Sequence, residues 1–197
     1  MNLNLKSITN LLLKKLKRSN SVPSVLDEKS GKRVPGLRPK NSETIQPTHP
    51  RYIFLDVDGV LNKAFDVKPD EEIEPQRVEF LKQIVDKTGA KIVVHSSWKY
   101  HEFMLNKLRD ALKKFGIKIH DVTPTIYGPK HGRENEILQY IKETLGSNEY
   151  ELTYVVLDDW DMFRTFGEHM LTTFEQDRKA YGLDQVFVDK AIEILSH

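Results

Sequence analysis

The stretch Phe54-Leu55-Asp56-Val57-Asp58-Gly59-Val60 decides the fold class, because it joins an apolar run to two acids and a glycine turn. The apolar run begins at Tyr52 and has the composition of a buried strand. Residues two apart on an extended chain project to the same side, so Asp56 and Asp58 can face one phosphate and one metal ion. An open α/β sheet presents its site at such a strand end, and the stretch therefore predicts an α/β protein.

Apolar segments typical of strands and helices alternate along the chain after residue 50. The predicted strands are 52–55, 91–95, 117–119, 154–157 and 169–172, and the predicted helices run from Glu74-Pro75 to Gly89 and over about 100–115, 133–145 and 184–195. This βαβα alternation predicts a parallel sheet with helices on both faces.

The composition indicates one domain with a basic tail. The chain has 197 residues, 39% of them hydrophobic, and its net charge is +1. Residues 1–50 hold ten basic and three acidic residues, a charge of +7, so the remainder carries −6. Residues 19–50 are rich in serine, proline and lysine, which is typical of a linker. We therefore predict a largely disordered tail over 1–50 and a catalytic domain over 51–197.

The start of the tail, residues 3–18, has the pattern of a basic amphipathic helix. Four interpretations remain open: a solvated terminus, mitochondrial targeting by residues 1–20, attachment to an anionic membrane surface, and contact with nucleic-acid phosphates. The chain has no cysteine, which excludes a disulfide framework and a thiol nucleophile. The composition fits an intracellular, cytoplasmic location, with mitochondrial targeting as the alternative.

Three polar clusters each follow an apolar strand directly. They are Asp56-Val57-Asp58-Gly59, Ser96-Ser97-Trp98-Lys99 and Asp158-Asp159-Trp160-Asp161. The ends of parallel strands lie at one edge of the sheet, so these carboxylates and hydroxyls are expected to converge. Carboxylates that crowd together repel unless a cation holds them, and sites with only oxygen ligands favour Mg²⁺. The sequence therefore predicts a Mg²⁺ site formed by Asp56, Asp58, Asp158 and Asp159.

The two acids of the first cluster can divide the chemistry of phosphate-ester hydrolysis. Asp56 is the candidate nucleophile, which would form an aspartyl-phosphate, and Asp58 is the candidate general acid and base. Either Ser96 or Ser97 can bond a phosphate oxygen. A cation from the start of the helix that precedes the fourth strand, Lys130 or Arg133, can complete the phosphate site with the helix N-terminal amides.

These residues resemble the haloacid dehalogenase (HAD) superfamily of phosphohydrolases, which has a Rossmann-like fold. The pattern is a strand ending in DxDG, a second ending in Ser or Thr, a Lys or Arg before the fourth strand, and an acidic pair after it. Within the superfamily, the chain resembles the HAD domain of Swiss-Army-Knife RNA-repair-like proteins. The similar segments are Phe54 to Asn62, 88–99, Arg133 to Ile137, Leu157-Asp158-Asp159, Gly182-Leu183 and 190–195.

The spacing of the motifs leaves no room for a large cap domain. About a dozen residues separate Asn62 from Glu74, too few for a folded lid. In the superfamily that the chain resembles, large caps enclose small metabolites, so an open crevice implies a long or bulky substrate such as an RNA or DNA end, or a nucleotide. The alternatives are a protein phosphatase of the same fold and a non-catalytic module that binds metal or phosphate. Trp98 and Trp160 follow the site clusters, where packing is the default interpretation and stacking on a nucleobase the sharper one.

Overall fold

The computed structural model describes residues 50–63, 73–128, 132–147, 152–174 and 182–197. The predicted amphipathic helix over 3–18 and the linker over 19–49 lie outside these residues, and so does Lys130. The boundary near Pro50 and the contacts of the basic tail therefore stay predictions.

Five strands form one sheet. They are β1 (Arg51–Leu55), β2 (Lys91–Val94), β3 (Ile119–Val122), β4 (Thr153–Asp158) and β5 (Met170–Thr172). Their order is β3-β2-β1-β4-β5, and every neighbouring pair is parallel. The predicted α/β class with a parallel sheet is confirmed.

Helices connect the strands and cover the sheet. They are α1 (Pro75–Thr88), α2 (Glu102–Lys113), α3 (Arg133–Thr144), the short α4 (Phe163–Phe166) and α5 (Gln185–Ser196), with 3₁₀ turns at Ser97–Tyr100 and Gly167–His169. Proline at the first position of α1 loses no intrahelical hydrogen bond, because that N–H has no partner inside the helix. Gly89 ends α1 in the left-handed conformation (φ 67°), and its N–H donates to the Val85 carbonyl at 2.8 Å.

The central strands are buried on both faces, as parallel strands between two helical layers must be. Ile53 and Leu55 of β1 belong to the core cluster that packs against α1, α2 and α5. Tyr52 and Phe54, which alternate with them, belong to a second cluster with residues of α3 and α4. The predicted placement of helices on both faces is confirmed, and no separate cap domain is found among the described residues.

The predicted position of the third strand was wrong by two to three residues. The apolar segment 117–119 was assigned to it, but β3 covers Ile119–Val122. Ile117 is buried in the turn that ends α2, where its N–H donates to the Leu112 carbonyl at 3.1 Å. Gly116 precedes it with φ 75°. Ile117 is therefore apolar because it covers the end of the helix, not because it begins the strand.

Candidate active site

The site lies where the strand order reverses. The chain runs outward from β1 to β3 and then returns to place β4 on the other side of β1. Ligands of open α/β sheets bind in the crevice at the carboxyl ends of the strands at such a point. Asp56 follows β1 and Asp158 ends β4, and the Asp56 N–H donates to the Leu157 carbonyl at 2.9 Å. Both acidic pairs are therefore at the same edge of the sheet.

Three carboxylates meet in this crevice. Asp56, Asp158 and Asp159 each offer an oxygen, and these oxygens lie within 4.8 Å of one another. Asp56 and Asp158 are fully buried, and Asp56 Oδ1 has no hydrogen-bond partner among the described residues. An unpartnered buried oxygen and a donor set made only of carboxylates fit a hard divalent cation. These three residues are thus able to hold Mg²⁺.

Gly59 is required by the close approach of the first loop to this cluster. Its φ is 69°, and a Cβ atom at this position would lie 2.5 Å from Asp159 Cβ. No real Cβ contact is that short, and the left-handed conformation also disfavours other residues. The glycine of the DxDG motif thus lets the β1 loop pass directly over the acid that follows β4.

Among the described residues, Arg133 is the basic side chain that contacts these carboxylates. It is the first residue of α3, and its Nη1 atom lies 2.8 Å from Asp56 Oδ2 and 2.7 Å from Asp158 Oδ1. Asp159 Oδ1 is 3.8 Å away. Burial alone would lower the pKa of Arg133, but the carboxylates of Asp56 and Asp158 raise it above its ordinary value, so the guanidinium stays charged.

The three acids differ in their pKa because their surroundings differ. Burial and the neighbouring Asp158 raise the pKa of Asp56, and burial with the charges of Asp56 and Asp158 raises the pKa of Asp159 to about 7. Burial also acts on Asp158, but the hydrogen bond from His95 and the charges of His95 and Arg133 together lower its pKa. His95 and Arg133 therefore favour the ionised form of Asp158 over its neutral form.

Asp58 is held by hydrogen bonds from two side chains, and it lies outside the cluster of three carboxylates. Trp98 Nε1 donates to Asp58 Oδ2 at 3.0 Å, and Asn62 Nδ2 donates to Asp58 Oδ1 at 2.9 Å. The side-chain oxygen of the same amide, Asn62 Oδ1, accepts the Gly59 N–H at 3.1 Å. The side chain of Asp58 is not one of the three that converge on a common point. Asp58 lies two residues after the nucleophile candidate, and it is half-buried.

The two serines after β2 have different surroundings. Ser96 is fully buried, its hydroxyl accepts the Trp98 N–H at 3.3 Å, and its side chain acts to lower the pKa of Asp56. Ser97 is exposed and lines the open cavity that Arg133 also lines. Ser96 therefore lies inside the protein near the nucleophile candidate, and Ser97 faces the space from which a substrate would enter.

His95 forms a fully buried pair with Asp158. Its Nε2 lies 2.7 Å from Asp158 Oδ2, and both side chains are inaccessible to solvent. Its Nδ1 has no hydrogen-bond partner among the described residues. His95 is therefore a buried histidine that is hydrogen-bonded to an acid of the cluster.

A second buried ion pair lies one turn along α3 and was not predicted from the sequence. Lys99 Nζ donates to Glu136 Oε2 at 2.7 Å, and it also donates to Thr123 Oγ1 at 2.6 Å. The other oxygen, Glu136 Oε1, accepts from the Tyr100 hydroxyl at 2.9 Å and from the Ile126 N–H at 3.1 Å. Burial lowers the pKa of Lys99, and the hydrogen bond to Glu136 opposes that shift. This network ties the loops after β2 and β3 to α3.

Sequence reasoning also missed the roles of Trp98 and Asn62, which hold Asp58. Trp98 was interpreted as packing, and its ring is buried, with 4% of its surface exposed. The signal was its place in the Ser96-Ser97-Trp98-Lys99 cluster, because buried indoles usually need an acceptor for their N–H. Nothing in the sequence identifies Asp58 as that acceptor, since the two residues are 40 positions apart.

The comparison with protein families identifies one family. The model of the HAD domain in Swiss Army Knife RNA repair proteins matches residues 52–185, more than half of the chain. The chain belongs to this HAD family. The resemblance noted from the motifs is confirmed, and so is the enzyme class, a phosphatase of the HAD type. The matched range contains all eight candidate site residues.

A solved structure has the same fold. The crystal structure of a HAD-like phosphatase from Mesorhizobium loti aligns with a TM-score of 0.51 over 76% of this chain and 87% of that chain, at 14% sequence identity. At this identity the likeness supports the fold alone. No curated protein shows significant similarity to the chain. Among the described residues of this HAD protein, no helix has both the length and the apolar character needed to cross a bilayer.

Proposed function

We propose that this HAD protein is a Mg²⁺-dependent phosphomonoesterase that acts through an aspartyl-phosphate on Asp56. The observation that carries the proposal is the position of Asp56 at the end of β1. Its carboxylate is buried, one of its oxygens contacts Arg133, and the other has no partner among the described residues. A carboxylate with one oxygen anchored and the other without a hydrogen bond can act as a nucleophile.

The metal site would be formed by Asp56, Asp158 and Asp159, whose oxygens already converge. A bound Mg²⁺ offsets the repulsion between these carboxylates and an incoming phosphate dianion. Arg133 supplies fixed positive charge on the same side of Asp56. The sequence also predicted the Asp58 carboxyl as a metal ligand. It lies outside the converging trio and accepts hydrogen bonds from Trp98 and Asn62, so we assign it to proton transfer instead.

The residues of the chain divide the reaction between them. The Asp56 carboxylate attacks phosphorus and displaces the leaving oxygen, which takes a proton from Asp58. Asp58 then removes a proton from the water that attacks the aspartyl-phosphate. This step releases inorganic phosphate and regenerates free Asp56. Arg133 and Ser97 line the cavity beside Asp56 and are the candidate phosphate ligands, together with Ser96 and Lys130.

The mechanism is tested by hydrolysis of a generic aryl phosphate with the full chain, with and without Mg²⁺. Asp56→Asn keeps the shape of the side chain but removes its nucleophilic charge, so we expect kcat to fall roughly 10³-fold or more. Asp110→Asn, an exposed position on α2, is the matched control and should retain full activity. Full activity of Asp56→Asn would refute the mechanism.

The favoured substrate is the phosphorylated end of a nucleic acid, or a nucleotide. Support comes from the RNA-repair family, from the absence of a cap among the described residues, and from the predicted basic tail. Initial rates should be compared on RNA and DNA with 3′-phosphates, nucleoside monophosphates and a phosphopeptide panel. Faster turnover of the phosphopeptides would favour the protein phosphatase. Metal binding without turnover of any phosphomonoester would favour the non-catalytic module.

A further inference from the structure

An open cavity of about 480 Å³ lies beside the carboxylate cluster. Its lining includes Arg133 and Ser97 on the side of the catalytic crevice, and Tyr100 and Trp160 elsewhere on its wall. The volume is in the range of natural small-molecule sites, about 300–1,000 Å³. A group attached to a phosphate at Asp56 can therefore occupy this cavity while the phosphate remains near Arg133.

Trp160 is a large apolar side chain that the rest of the described chain leaves uncovered. It is 71% exposed, and Tyr100, which lines the same cavity, is 42% exposed. The backbone of Trp160 is nevertheless fixed, because its N–H donates to Asp158 Oδ1 at 2.7 Å. Its ring centre lies 5.7 Å from Arg133 Cζ. An anchored but uncovered indole next to a phosphate site is suited to stack on a flat ring of a ligand.

The charged lining narrows the chemistry of that ligand. The carboxylates of Glu134 and Asp161 line the cavity with Trp160. Carboxylates accept hydrogen bonds from N–H donors and repel further phosphate groups. The cavity therefore suits a neutral aromatic ring with N–H donors better than it suits a polyphosphate or a second phosphodiester. Nucleobases are neutral rings, and adenine, guanine and cytosine carry exocyclic amino groups.

We propose that Trp160 and this cavity form a subsite that stacks the nucleobase adjoining the scissile phosphate. The proposal rests on the proposed phosphomonoesterase function and names its substrate class as nucleotides with a single terminal phosphate, either free or at the end of a strand. Trp160 is then a specificity residue that contacts the substrate, and it takes no part in bond breaking.

The test compares two substrates that differ only in the base. The full chain is assayed with a nucleoside 3′-monophosphate and with the corresponding sugar phosphate that lacks a base. Trp160→Ala should lower kcat/KM for the nucleotide about 5- to 150-fold, the range that corresponds to the loss of one stacked base. It should leave the abasic substrate within about twofold, a change worth under 0.5 kcal/mol. Trp160→Phe should retain most of the preference.

The matched control is Phe163→Ala. Phe163 is also an exposed aromatic residue, at 57%, but it lines a different cavity. This variant should keep the wild-type preference for the nucleotide. An equal loss on both substrates in Trp160→Ala would overturn the subsite, because Trp160 would then act through Arg133. No loss on either substrate would overturn it as well.

A binding measurement separates this proposal from the catalytic one. Calorimetry on full-length Asp56→Asn, with and without Trp160→Ala, should show tighter binding of the nucleoside monophosphate than of the abasic phosphate only when Trp160 is present. If the wild type hydrolyses no phosphomonoester but the difference in binding between the two ligands persists, the phosphatase function is refuted and the subsite is supported. If hydrolysis occurs and the difference is absent, the subsite fails alone. A parallel titration with an oligonucleotide 3′-phosphate distinguishes a strand end from a free nucleotide.

Discussion

Two buried ionic networks lie one turn apart at the start of α3, and they differ in their balance of charge. Around Arg133, one guanidinium faces three carboxylates, and one oxygen of Asp56 has no hydrogen-bond partner in the described part of the chain. Around Glu136, one carboxylate faces Lys99, and donors from Tyr100 and Ile126 complete it.

This difference in charge balance gives the two networks separate roles in stability and in function. The Glu136 network is neutral and its oxygens are satisfied, so it needs no further ligand and can fix the loops after β2 and β3 against α3. The Arg133 network has an excess of negative charge, which a divalent cation would offset. We therefore interpret the Glu136 network as the structural support and the Arg133 network as the reactive site.

The largest expected effect is the loss of stability when the balanced network is broken. Glu136→Gln removes one partner of a pair whose side chains are 1–2% exposed and leaves the Lys99 ammonium buried without its counter-charge. We expect the free energy of unfolding to fall by about 3–5 kcal/mol, measured by urea denaturation. The double variant Lys99→Met/Glu136→Gln should recover part of that loss. If both variants unfold like the wild type, the network does not support the fold.

The second effect concerns the unbalanced network and should appear in catalysis. Arg133→Met removes the cation that contacts Asp56 and Asp158, so we expect kcat/KM on an aryl phosphate to fall about 10²- to 10³-fold. Arg133→Lys keeps the charge but has one nitrogen to share, and should lose less. Arg164→Met, an exposed position on α4, is the control and should change neither rate nor stability. Unchanged turnover in Arg133→Met would show that another cation serves the phosphate.

The third prediction distinguishes the two networks by their response to Mg²⁺. At a concentration 100 times its dissociation constant, Mg²⁺ should add about 2.7 kcal/mol to the free energy of unfolding. Asp158→Asn should abolish this gain because it removes a ligand of the converging trio. Asp58→Asn should retain it, since the Asp58 carboxyl lies outside that trio. A loss of the gain in Asp58→Asn would restore the ligand set that the sequence predicted.

The smallest effect is the pH dependence contributed by Tyr100. Burial, with the hydrogen bond to Glu136, raises the pKa of Tyr100 from 10.0 to about 12. Because the raised pKa belongs to the folded state, Tyr100 contributes its full share to the free energy of unfolding below pH 10. This contribution is lost as the pH rises to 12. The free energies of unfolding of the wild type and Tyr100→Phe, measured by denaturation at each pH, should approach each other between pH 10 and pH 12. Parallel curves would show that the hydroxyl is not held by Glu136.

The positions of the acids could be predicted from the sequence because they depend on local order. Asp56, Asp58, Asp158 and Asp159 each follow an apolar strand, and parallel strands bring their ends to one edge. The alternation of strands and helices fixed the fold class in the same way. Ile117 misled the assignment of β3 because the buried end of a helix and a short strand have the same apolar pattern.

The partners of these acids could not be predicted, because they depend on contacts between distant segments. Trp98 reaches Asp58 across 40 positions, and Lys99 reaches Glu136 across 37. The sequence also left Ser96 and Ser97 equivalent, although one is buried beside Asp56 and the other lines the open cavity. Such differences arise from the turn at Ser97–Tyr100, for which the sequence carries no periodic signal.

In the proposed reaction Asp56 receives the phosphoryl group, and direct detection of the aspartyl-phosphate tests this role. The full chain is quenched in acid during turnover of an aryl phosphate with Mg²⁺ and then reduced with borohydride, which converts an aspartyl-phosphate to homoserine. Peptide mapping by mass spectrometry should find homoserine at position 56 in the wild type, and none without Mg²⁺ or in Asp56→Asn. Homoserine at the position of another aspartate, and none at position 56, would exclude Asp56 as the nucleophile.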